Sequence, residues 1–134
     1  MFRVGLQAAC IAAFAAIVAA AAPPPRIVAI GDVHGAGDAF VSILQKTGLI
    51  DAGRKWTGGS AILVQTGDLM DRGQDARAVL DLMMALESQA SSAGGRVQSL
   101  LGNHEVMNLI GETRDVAPEL FRQFADEKSE ARRE

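Results

Sequence analysis

Three short apolar runs constrain this chain most, because each closes on a glycine followed by a polar, ligand-type side chain. Arg26-Ile27-Val28-Ala29-Ile30 ends at Gly31-Asp32, Ala61-Ile62-Leu63-Val64-Gln65-Thr66 ends at Gly67-Asp68, and Arg96-Val97-Gln98-Ser99-Leu100-Leu101 ends at Gly102-Asn103. Short apolar runs bounded by glycine read as buried strands. Asp32, Asp68 and Asn103 lie 36 and 35 residues apart, the length of one strand–helix–strand unit. Between the first two runs, Phe40, Val41, Leu44 and Thr47 recur at helical spacing, with Asp38 as a candidate cap and Gly48 as a stop. Between the second and third, Val79, Leu80, Met83, Met84 and Leu86 form an apolar helical face with Asp75 near its start, broken at 91–95. Asp51 to Gly59 holds three glycines and Trp56 and reads as a loop or small hairpin, with Trp56 a structural anchor. From Pro118 to Glu134 the pattern is that of a charged helix.

Alternating strands and helices predict an α/β fold with a mostly parallel sheet and crossover helices. Such crossovers bring all strand C-termini to one edge, where ligands bind in these sheets. Asp32, Asp68 and Asn103 should therefore meet there.

Composition narrows the function. The chain has 134 residues, 49% of them hydrophobic, with a formal net charge of -3. No strongly basic face is implied, which argues against a nucleic-acid partner. Residues 1–22 differ from the rest: ten alanines, one charge (Arg3) and the chain's single cysteine, Cys10. A short basic start, an apolar run and small A-x-A residues have the form of a cleavable export signal over 1–21, with cleavage after Ala20 or Ala21. Residues 22–25 then form a Pro-rich linker, and the expected location is exported, periplasmic. The alternative is an uncleaved membrane anchor, since the uncharged run approaches a spanning length. Cleavage would discard Cys10, leaving no thiol for a disulfide, a zinc–cysteine site or a nucleophile.

The full motifs are Gly31-Asp32-Val33-His34-Gly35, Gly67-Asp68-Leu69-Met70-Asp71-Arg72-Gly73 and Gly102-Asn103-His104-Glu105. A lone Asp after a strand is ordinarily a turn or cap residue. Here the only two histidines of the chain fall inside the same blocks. Two carboxylates, an imidazole and a carboxamide suit divalent manganese, iron or zinc. In order and spacing the three blocks resemble the calcineurin-like metallophosphoesterases, most closely the serine/threonine protein phosphatase branch and, within it, the bacterial Shewanella-like phosphatases.

That resemblance implies the N-terminal half of a four-layer αββα sandwich over residues 26–134. It implies two divalent metal ions, with Asp32, His34 and Asp68 on the first, Asp68 bridging to the second, and Asn103 binding the second through its side-chain oxygen. A shared carboxylate can hold two cations about 3.5–4 Å apart. A metal-bridging hydroxide would then attack the phosphorus of a phosphomonoester in line. Arg72, Asn103 and His104 would face the phosphate, and the planar fork of Arg72 matches its oxygens. His104 would donate a proton or hydrogen bond to the leaving oxygen, with Asp71 orienting its ring. Glu105 is expected to hold local backbone donors.

The substrate expected is a phosphoprotein or small phosphoester. Family members continue beyond the third block with further histidines and a second sheet. The chain is therefore expected to be a truncated part of such an enzyme, which a complementary C-terminal half would complete. The alternatives are a non-catalytic or partner-dependent fragment, or a dinucleoside-polyphosphate hydrolase or phosphodiesterase of the same superfamily.

Overall fold

The computed structural model describes residues 23–129. The expected export signal or anchor, with Cys10, lies outside the described residues. Among the described residues no helix is long and apolar enough to cross a membrane.

The three apolar runs form strands β1 (Ile27–Ile30), β2 (Ile62–Gln65) and β3 (Arg96–Ser99). They make one parallel sheet in the order β1-β2-β3. In register, Val28, Leu63 and Val97 share one face and Ile27, Ile62 and Arg96 the other. The first face is the inner one: Leu63 is fully buried and Val97 nearly so. On the second, Ile27 is 65% exposed, so among the described residues that face is left largely open.

Two helices connect the strands, α1 (Gly37–Lys46) and α2 (Ala76–Ser92). Phe40 and Leu44 of α1 and Val79, Met83, Leu86 and Ala90 of α2 are buried, spaced three or four apart as an amphipathic helix requires. Together with Leu49, Ile50 and Leu63 they form the core. This is the α/β layering, with parallel sheet and crossover helices, that the alternation of elements predicts.

Several local expectations need correction. Asp38 does not cap α1; Ala36 holds that position and Asp38 lies inside the first turn. Asp75 does occupy the N-cap of α2, but its side chain makes no capping bond. Met84 is 60% exposed, because it stands about 100° round the helix from buried Met83. The third strand stops at Ser99, and Leu100 and Leu101 are exposed.

Two further helices follow, α3 (Asn103–Leu109) and α4 (Pro118–Phe124). The continuous helix expected from Pro118 ends at Phe124, and 125–129 are not helical. Residues 51–59 do form a small turn closed by an antiparallel bridge from Ile50 to Trp56. There Trp56 packs on the core, and its indole N–H donates to the Gly59 carbonyl at 3.0 Å. Its role is structural, as expected.

Candidate metal and phosphate site

The β1 and β2 ends are laced together by backbone hydrogen bonds. The N–H groups of Val33 and His34 both donate to the Asp68 carbonyl (3.0 and 2.9 Å), Gly35 N–H to Leu69 and Gly73 N–H to His34 (both 2.9 Å). To make these crossings the chain turns through left-handed backbone at non-glycine positions: His34 (φ 47), Asp68 (φ 57), Asp71 (φ 68) and Arg72 (φ 58). Each such residue costs on the order of 1 kcal/mol, and such strain gathers at functional sites. The β3 end packs closely on this pair. A Cβ at Gly102 would run into the Asp68 carboxylate, and one at Gly67 would meet the backbone of Gly102. Those two glycines are thus required by close approach.

This packing gathers Asp32, His34 and Asp68, each offering one ligand atom, with all three atoms within 4.8 Å of one another. Their free atoms suit a cation. The His34 Nδ1–H donates to the Met70 carbonyl at 3.1 Å, which leaves the Nε2 lone pair free. That Nε2 lies 3.7 Å from Asp32 Oδ2. Asp68 Oδ1 accepts the His104 backbone N–H at 3.0 Å, leaving Oδ2 for a cation. Two oxygens and one imidazole nitrogen form a borderline-hard set that fits divalent manganese, iron or zinc. Asn103, the fourth predicted ligand, opens α3 beside this group, since its neighbours Gly102 and His104 both touch Asp68. Its side chain is exposed and its Nδ2 lies 3.9 Å from Met107 Sδ.

Next to the triad runs a hydrogen-bonded chain of the other motif residues. His104 is buried, and its ring meets that of His34 edge-on at 4.6 Å between centroids. His104 Nδ1 lies 3.0 Å from Asp71 Oδ2, and its Nε2 lies 3.1 Å from Arg72 Nη2. A guanidinium can only donate, so Nε2 accepts and the ring proton sits on Nδ1, directed at the Asp71 carboxylate. Arg72 is otherwise exposed and free to present its remaining donors outward.

Glu105 holds the whole junction. Its carboxylate accepts the N–H groups of Asp68 (2.7 Å), Leu69 (2.8 Å), Met70 (3.4 Å) and Gly102 (2.8 Å). The expectation that it binds local backbone donors is met, across two strand ends at once.

Two residues escaped the sequence reading. Asn108 donates from Nδ2 to Asp71 Oδ2 (2.8 Å) and to the His104 carbonyl (2.9 Å). The available signal was its spacing, one helical turn past His104. Gln65 is fully buried at the end of β2, where a carboxamide in an apolar run was the signal.

Fold and site together define a phosphoesterase-type metal cradle, built where parallel strands end. Residues 25–132 match the calcineurin-like phosphoesterase family, and the chain belongs to it. It is 41% identical over 101 residues to Shewanella-like protein phosphatase 2 of Arabidopsis thaliana, covering 75% of this chain and 26% of that protein. With Shewanella-like protein phosphatase 1 of Plasmodium berghei the identity is 35% over 99 residues, 74% of this chain and 27% of the relative. The crystal structure of a cold-active protein-tyrosine phosphatase from a psychrophilic Shewanella species superposes with a TM-score of 0.67 at 38% identity, covering 75% of this chain and 32% of that one. The chain thus spans about a quarter of the length of these two curated relatives.

Proposed function

We propose that this chain carries the metal-holding part of a metal-dependent phosphoesterase that hydrolyses phosphomonoesters in the manner of a protein phosphatase. The observation that carries the reading is the convergence of the Asp32, His34 and Asp68 ligand atoms within 4.8 Å, beside the Arg72–His104–Asp71 chain. Asp32, His34 and Asp68 would hold one divalent cation, and Asp68 with the side-chain oxygen of Asn103 would hold a second. Bound cations supply the Lewis-acid charge and the acidified water that hydrolysis at phosphorus needs.

The protein's own residues do the rest. Arg72 engages the phosphate oxygens, and in turning to them releases His104 Nε2. His104, its Nδ1–H directed at the Asp71 carboxylate, takes a proton from solvent at the freed Nε2 and gives it to the leaving oxygen. Asn108 and Glu105 keep that chain and the Asp68 turn in place. The protein-phosphatase reading draws support from the named relatives, two of them Shewanella-like protein phosphatases and one a protein-tyrosine phosphatase. The form of residues 1–21 supports export as the route by which the protein reaches its substrates.

The test is Mn2+-dependent hydrolysis of p-nitrophenyl phosphate, a phosphopeptide, a dinucleoside tetraphosphate and a cyclic nucleotide, compared by kcat/KM. The two monoesters should be turned over fastest, and only with metal. A tenfold preference for either nucleotide substrate would replace this reading with a polyphosphate hydrolase or a phosphodiesterase.

A further inference from the structure

Gln65 is the one carboxamide buried completely in the sheet, with 0% exposure. Its register partners are Ile30 on β1 and Ser99 on β3. A core position of this kind is filled more simply by an apolar residue, because a buried carboxamide costs about 1–3 kcal/mol unless hydrogen bonds satisfy it. Here they do. Oε1 accepts the Gly67 N–H at 2.8 Å, while Nε2 donates to the Gly67 carbonyl at 2.6 Å and to the Gly31 carbonyl at 3.2 Å. The amide orientation follows from the partners, since two carbonyls can only accept and one N–H can only donate.

All three bonds therefore go to the two glycines that immediately precede Asp32 and Asp68. Gly67 runs at φ 105, a conformation with few local restraints of its own. Thr66, just past β2, also reaches the β1 end, its hydroxyl donating to the Ile30 carbonyl at a longer 3.4 Å, but that bond stops short of the Gly31 turn that Gln65 holds.

We infer that Gln65 is a positioning residue that sets the separation of Asp32 and Asp68, and so the affinity of the cradle for a divalent cation. The inference rests on the metal-site reading above. One side chain ties the turn carrying the first carboxylate to the turn carrying the second, and it does so from the dry side of the sheet end, where water does not compete for its bonds. The fit of the cation then depends on a residue that never touches it, as with the outer partners of metal ligands in general.

The experiment is Mn2+ titration by electron paramagnetic resonance on the wild-type chain, Gln65→Met and Gln65→Leu, with far-UV circular dichroism and Tm on the same samples. The expected result is about a tenfold higher Kd in both variants at wild-type secondary structure. A residue that only fills the core would lower Tm and leave the Kd of the folded protein alone. Kd within twofold of wild type therefore overturns the inference while the metal site stands. Loss of fold in both variants also overturns it, because Gln65 would then serve the core first. Failure of the wild-type chain to bind Mn2+ removes the metal-site reading and this inference with it.

Discussion

Glu105→Ala is the substitution with the largest consequence for how the β2 and β3 ends are joined. The Glu105 carboxylate accepts four backbone N–H groups, three from the Asp68–Met70 turn and one from Gly102. That turn is strained at Asp68 (φ 57), so it needs outside support to persist. Hydrogen bonds to a charged group contribute about 1.5–3 kcal/mol each when isolated. Here they share one half-buried carboxylate, the Met70 bond is long, and water can replace part of the loss. A total of about 2–4 kcal/mol is the consistent figure, or roughly 30- to 900-fold in the folding equilibrium.

Glu105→Gln keeps one accepting oxygen and turns the other into a donor facing N–H groups, so about half of that loss is expected. Urea unfolding followed by the fluorescence of Trp56, the single tryptophan of the chain, measures both, since Trp56 packs on the core. Glu87, exposed on α2, is the control, and Glu87→Ala should stay within about 0.5 kcal/mol of wild type. A Glu105→Ala cost no larger than the control would refute the assignment. So would a Gln variant as costly as the Ala variant, because partial acceptance is the core of the reasoning.

Other outcomes follow from the same contacts. His104→Ala should leave Mn2+ content unchanged and lower kcat by about 10²–10⁴-fold; a parallel loss of bound metal, read by elemental analysis, would place His104 among the ligands instead. Leu63→Ala, at a fully buried position in the core that both connecting helices share, should cost about 2–5 kcal/mol in urea unfolding. Gly102→Ala should fold but bind Mn2+ weakly, because the added methyl meets the Asp68 carboxylate; unchanged affinity would mean that the β3 end can move aside at no cost.

Much of this is legible in the sequence. The strands and connecting helices showed in the apolar runs closed by glycine and in the helical spacing between them. The triad was legible because Asp32 and Asp68 each follow a glycine at a strand end, His34 lies two residues past Asp32, and parallel strands end on one side. What the sequence hid was mostly relational. Gln65 looks like a polar interruption in a strand until its three partners are seen. Asn108 has no motif, and its meaning comes only from lying one turn beyond His104 with Asp71 opposite. Helix α3 is seven residues long, too short to announce itself by periodicity, and it is set by Glu105 reaching back to the Gly102 N–H. Met84 and Asp38 were misread for the opposite reason: spacing and residue type fit a role that the actual direction of each side chain does not serve.

Asp32, His34 and Asp68, carried past the ends of separate strands, form the cradle for a divalent cation. Mn2+ titration of the wild-type chain beside Asp68→Asn and Asp32→Ala tests it most directly. Saturable binding by the wild-type chain is expected, with a loss of at least about 100-fold in affinity in each variant, more than disturbing an outer partner of a ligand costs. Equal affinity in all three proteins would contradict it.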